Sequence, residues 1–155
     1  MSDYGALIRW QKGDNEVFSD NQYSRGHTWE FDGGVIVPAS SSPHVVPLPF
    51  SVAENIDPEE AFIAAIASCH MLTFLGIAAK QKYVIESYVD DAIGVLEEDK
   101  AGRAWVSHVT LRPQIQFVGD KRPTHKQLEK LHHLAHSNCF IANSVKTEIT
   151  VEIDS

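Results

Sequence analysis

The sequence predicts an α+β fold with mainly antiparallel sheets, and three observations predict it. Residues 57–80 form one long segment that is apolar at nearly every position after its acidic start. Residues 105–117 and 145–153 alternate apolar and polar side chains. Between them, 123–138 spaces its leucines as a helix does. The resulting order is strands, long helix, strands, amphipathic helix, strand, which suits segregated helices and sheets better than βαβ units.

The first 50 residues read as short strands and turns. "YGALIRWQ" and "EVFSD" are two strand candidates separated by the turn composition "KGDN". "HTWEFDGGVIV" predicts a hairpin turning at Asp32-Gly33-Gly34. Residues 38–51 hold four prolines and four serines and predict a loop. Asp57-Pro58-Glu59-Glu60 then starts a helix. Asp57 suits the N-cap, Pro58 the first helical position and Glu60 the reciprocal capping residue. The helix should end near Lys80-Gln81-Lys82, where positive charge suits a C-terminus. Being apolar on nearly every face, it should be enclosed on nearly every face, and a homodimer that wraps it between two copies answers that need.

After Tyr83 the pattern turns to strands, with an edge or bulge expected at Pro113. Thr124 is the candidate cap of the second helix, whose inner stripe is Leu128, Leu131 and Leu134 or Ala135. "VKTEITVEI" closes the chain as an alternating strand.

The 155 residues suit a single domain, 1–155, able to bury a core without disulfide staples. Thirteen Lys and Arg against 21 Asp and Glu leave a net charge of −8, which argues against nucleic acid as a partner. Polar residues Ser68, His70 and Thr73 within the long apolar run argue against a membrane span. No apolar leader is apparent, so the expected compartment is the cytoplasm, where thiols stay reduced.

The only cysteines, Cys69 and Cys139, are 70 residues apart. Two readings stand side by side. They are buried free thiols acting as small hydrophobes, or they are a peroxidatic thiol and the thiol that resolves its sulfenic acid. The second reading needs a positive neighbour to hold a thiolate. Arg25 is the candidate, in a loop just before a strand. Glu59, ten residues before Cys69, lies about 15 Å from it along one helix. Either the helix bends sharply, or Glu59 acts across two subunits, or it merely stabilises the helix dipole. His70 points about 100° away from Cys69 and is expected to be packed or hydrogen-bonded. His133, His136 and Cys139 share one helix face at i, i+3 and i+6. They offer a rival transition-metal site, or a lining for the surroundings of Cys139.

"DPEEAFIAAIASCHMLTFLGIAAK" resembles the central-helix signature of the OsmC-like, or organic hydroperoxide resistance, family: Asp-Pro-Glu, ten residues to the cysteine, and small residues between. The second cysteine, after a short helix and before the last strand, matches as well. The resemblance covers essentially the whole chain and implies an OsmC-like fold, an intertwined homodimer with two sites at its interface. It implies a thiol peroxidase of organic hydroperoxides, with Cys69 peroxidatic, Cys139 resolving, Arg25 activating (Arg9 the fallback) and Glu59 its carboxylate partner. A dithiol or lipoyl-type reductant would reopen the disulfide, with no metal or organic cofactor. The family often has proline after the second cysteine; here Phe140 stands there. The rival on the same scaffold is a low-turnover redox sensor or stress-response binding protein.

Overall fold

Asp32, Gly33 and Gly34 turn the chain as their composition requires. Gly34 takes φ +89°, a conformation that favours glycine, and its N–H donates to Phe31 O at 3.0 Å. The computed structural model describes residues 1–154. Internal contacts divide the chain into two units, Met1–Ala61 and Phe62 onward, taken in turn.

The first unit holds an antiparallel sheet in the order β1 (Leu7–Arg9), β2 (His27–Glu30), β3 (Ile36–Ala39). "EVFSD" is not a strand. Phe18 and Asn21 adopt φ of 71° and 63°, and Glu16 accepts from the Gly13 and Ser24 N–H groups at 3.0 Å. Trp10, Phe18 and Tyr23 pack ring on ring, with centroids 4.6 to 5.7 Å apart. Those contacts hold a turn where propensity alone suggests extension. The proline-serine segment is tied down by its own hydroxyls. Ser40, fully buried, accepts from Val52 N–H at 2.9 Å, and Ser42 from His44 N–H at 3.1 Å.

Helix α1 (Pro58–Lys80) begins where its cap signals put it. Glu60 N–H donates to Asp57 Oδ1 at 2.8 Å, and Asp57 N–H donates to Glu60 Oε2 at 3.1 Å, a complete capping box. Its far end closes as a Schellman motif: Tyr83 N–H reaches Ala78 O and Lys82 N–H reaches Ala79 O, both at 3.0 Å. Lys82 takes φ 68°, where glycine is the usual residue. Tyr83 follows into the apolar cluster of Phe74, Ala78, Leu131 and Ala135.

The second unit has two sheets. β4 (Val84–Asp90) pairs antiparallel with β7 (Pro113–Val118). β5 (Ile93–Glu98), β6 (Ala104–Leu111) and β8 (Glu148–Val151) form the other, β8 running parallel to β6. The break expected at Pro113 is a change of sheet. β6 and β7 are separated only by Arg112, whose N–H donates to Asp90 Oδ1 at 2.7 Å. Helix α2 (His125–Asn138) carries the expected Thr124 cap, reciprocated by Gln127. Its buried stripe is Leu131, His132 and Ala135, so histidine shares a position set expected to be apolar.

The expectation that α1 is enclosed on nearly every face does not hold within one chain. Only Ile66, His70, Phe74 and Ala78, one stripe at four-residue spacing, are buried. Leu72 is 62% exposed, on a side shared with Ala65, Ser68 and Gly76.

Replacing Lys82 with glycine should stabilise the fold by about 0.5–1 kcal/mol, relieving left-handed strain at the cost of chain entropy. Urea unfolding at neutral pH reads this directly, and a loss of stability would contradict the Schellman assignment.

Candidate functional site

The second unit brings its two thiols together. Cys69 lies midway along α1, half-buried, and Cys139, fully buried, is the C-cap of α2. Both are free, and they are near enough for each to shift the other's proton affinity. A short 3-10 turn (Ala142–Ser144) follows, and Ala142 N–H points at Cys139 Sγ from 3.4 Å.

The two sulfurs are not equivalent. Burial pushes the Cys69 thiol up, but the neighbouring Cys139 thiol and the backbone N–H groups of Ile141 and Phe140 favour its thiolate, and the net shift is downward. Thr73 adds least: its hydroxyl hydrogen is directed at the Cys69 carbonyl oxygen, 2.8 Å away. Cys139 moves the other way, raised by burial and then by the neighbouring Cys69. One member of the pair is thus biased toward thiolate while the other keeps its proton, the asymmetry a nucleophile and its resolving partner need.

Phe140 explains part of this bias. Its side chain is 81% exposed, so packing does not select it. Its N–H is one of the groups that lower the Cys69 pKa, and a proline there would have none.

His70, as expected, is hydrogen-bonded rather than chemical. Its Nε2 lies 3.0 Å from His132 Nδ1, and the rings are stacked within 8° of parallel. His70 is 1% and His132 3% exposed. Burial lowers the pKa of His70 to about 4, with His136 adding to the effect. Burial, then His70, lowers His132 to about 4. In sequence, His132 reads only as a further member of the histidine cluster, at i−4 to His136. The available signal was its place on the 128/131/135 stripe, facing a histidine on the 66/74/78 stripe. His133 is exposed and His136 half-buried. Among the described residues no three His, Cys, Asp or Glu gather to hold a metal, so the rival metal face of His133, His136 and Cys139 does not form.

The first unit holds the other expected residues. The Arg25 guanidinium stacks on Tyr23, 3.6 Å from the ring centre. Its Nη1 donates to Asn21 O at 3.1 Å and Tyr23 O at 2.5 Å, and its Nη2 to Asn21 Oδ1 at 2.8 Å. Among the described residues its Nε–H has no acceptor. Arg9, the fallback, is committed to Glu30 at 3.2 Å. Glu59 sits in the first turn of α1 with Oε2 buried and without a hydrogen-bond partner. Arg25 and Glu59 form no ion pair within this chain; the guanidinium is held by neutral groups of its own loop.

The sequence profile of the OsmC-like proteins matches residues 52–154. A solved structure of an OsmC-like protein of unknown function from Vibrio cholerae is 60% identical, covering 99% of this chain and 100% of that one, with a TM-score of 0.97. An organic hydroperoxide resistance protein from Elizabethkingia anophelis shares the fold at 16% identity, with coverages of 99% and 98% and a TM-score of 0.71. Another from Bacillus subtilis shares it at 18% identity, with coverages of 99% and 98% and a TM-score of 0.67. No curated protein matches the sequence.

Two outcomes test the site's electrostatics. Phe140→Pro should raise the Cys69 pKa, because a donor is lost while the extended Cys139 backbone (φ −74°, ψ 115°) already suits a residue before proline. The pH profile of Cys69 alkylation reads it, and an unmoved profile would exclude the Phe140 N–H. The histidine pair sets a second. Both folded pKa values lie near 4, below the ordinary 6.5, so the unfolded chain binds protons first as pH falls. The pair's contribution is complete above pH 6.5 and erodes by roughly 1.4 kcal/mol per pH unit per ring down to about 4. The His70→Gln/His132→Asn double variant, which keeps amide hydrogen bonding but does not titrate, should flatten urea midpoints over that window. Equal slopes in both proteins would contradict the assignment.

Proposed function

The chain belongs to the OsmC-like protein family, and from that premise we propose that it is a cysteine-based peroxidase of organic hydroperoxides. The observation that carries this reading is the opposed bias of two adjacent thiols, Cys69 toward thiolate and Cys139 toward thiol. The Cys69 thiolate attacks the distal oxygen of the hydroperoxide. The O–O bond breaks, the alkoxide takes a proton and leaves as an alcohol, and Cys69 becomes a sulfenic acid. The Cys139 sulfur then attacks that sulfur, water departs, and a Cys69–Cys139 disulfide remains. A dithiol or lipoyl-type reductant returns both thiols by exchange.

Arg25 is assigned to orient the peroxide and stabilise the thiolate, with Glu59 as its carboxylate partner. Support comes from the unpaired Nε–H of Arg25 and the buried, unpartnered Oε2 of Glu59, an arrangement that is unfavourable until a cation arrives. A homodimer is part of the proposal. Its support is the unburied apolar side of α1, with Leu72 62% exposed. By length and composition α1 is the one described helix able to cross a membrane, but its stripe of Ile66, Phe74 and Ala78 is buried in the unit's own cores. Free cysteines suit a reducing compartment, and we assign the protein to the cytoplasm.

Mass spectrometry after one equivalent of tert-butyl hydroperoxide, beside hydrogen peroxide, tests the reading. The expected product is a rapid Cys69–Cys139 disulfide with the organic peroxide, and Cys139→Ser should stop at a sulfenic acid on Cys69. An unoxidised Cys69 after minutes would sink the peroxidase assignment. Oxidation without turnover under a dithiol would favour a sensor.

A further inference from the structure

A cavity of about 310 Å³ in the second unit is lined by His132, whose other neighbour is His70. It is bounded by β7, the segment leading into α2, α2 itself and the residues after β8. Ile115, Phe117, Leu128 and Ile153 supply apolar wall. Four polar residues complete it: Gln114, Arg122, His132 and Asp154.

The state of each polar group narrows the ligand. Asp154 already accepts from the Gln114 amide. Arg122 uses Nε on Gly119 O at 2.9 Å, and among the described residues neither of its Nη groups has an acceptor. His132 is 97% buried, its Nδ1 is taken by His70, and its Nε2 has no partner among the described residues. Burial keeps the ring neutral at physiological pH, so it carries one proton. The unpaired groups are therefore a cationic fork and an imidazole nitrogen of a residue that lines the cavity, beside apolar walls.

We propose that this cavity is a binding site for a small monocarboxylate with a short apolar tail. The carboxylate takes the free Nη donors of Arg122 and accepts from His132 Nε2–H, and the tail lies on Ile115, Phe117 and Leu128. Binding then fixes a tautomer. With the proton on His132 Nε2, Nδ1 must accept, and His70 must donate from its Nε2. Occupancy of the cavity is thereby read by the residue next to Cys69. The site stands whether or not the thiols reduce peroxides.

Titration of the whole protein with hexanoate tests it, by calorimetry and by nitrogen-15 spectra of the histidine rings. Saturable binding is expected with a Kd of about 0.1–1 mM, the range that roughly eight non-hydrogen atoms can reach. Arg122→Gln, an exposed position that leaves the core intact, should weaken it by roughly tenfold or more. Asp154→Asn should strengthen it by removing a like charge, and 1-hexanol should not compete. Saturated protein should show His132 protonated on Nε2. No saturation below roughly 10 mM, equal affinity in Arg122→Gln, or tighter binding of norleucine or hexylamine than of hexanoate would each overturn the proposal.

Discussion

His70 and His132 are two polar rings inside an otherwise apolar contact between α1 and α2, and each is tolerable there because of the other. A buried imidazole nitrogen without a partner loses on the order of 1–3 kcal/mol relative to water. Paired at 3.0 Å and stacked, the rings recover that loss only when the two helices sit in one relative position. An all-apolar contact would permit sliding; a hydrogen bond of fixed length does not. The neighbour of His70 in sequence is Cys69, and two turns beyond His132 is Cys139. The constraint that registers the helices thus also registers the sulfurs.

Once the thiols are adjacent, their chemistry is decided by which backbone amides reach which sulfur. The α2 helix ends at Cys139, and the chain beyond it is released from helical hydrogen bonding. The N–H groups of Phe140 and Ile141 are therefore left to favour the Cys69 thiolate. A helix one turn longer would have turned those donors onto its own carbonyls and left burial to raise both thiols. Helix termination is here part of the site.

Much of this was legible in sequence, because local rules carried it. Asp57 and Glu60, Thr124 and Gln127, and Asp32-Gly33-Gly34 act within a few residues and are where the reading put them. What was not legible depends on contacts distant in sequence. "EVFSD" has strand composition, but Glu16 and the Trp10–Phe18–Tyr23 cluster bend it. The parallel pairing of β8 with β6 follows from where α2 returns the chain, which no alternation reveals. His132 was hidden by its neighbour: in "LHHLAH" only the partner across the core distinguishes the buried histidine from the exposed one. The proximity of Cys69 and Cys139 rested on family resemblance, since 70 residues of spacing carry no geometry.

Arg25 and Arg9 differ in a way that bears on the unfinished half of the proposed site. Arg9 lies on an exposed strand with its charge already balanced by Glu30, so using it elsewhere means breaking that pair. Arg25 is held by neutral acceptors, Asn21 and the Tyr23 carbonyl, and by the face of Tyr23. None of these neutralises it, and its Nε–H remains open. A guanidinium immobilised by neutral groups is pre-organised, because its side-chain entropy is already lost and its charge is still available. Glu59 has the complementary deficiency, a carboxylate oxygen removed from water with nothing donating to it. The positive end of α1 offsets part of that deficit, but a helix end supplies about half a charge at most. The remaining imbalance leaves Glu59 as an unpartnered carboxylate and Arg25, unlike Arg9, as a guanidinium whose charge is unpaired.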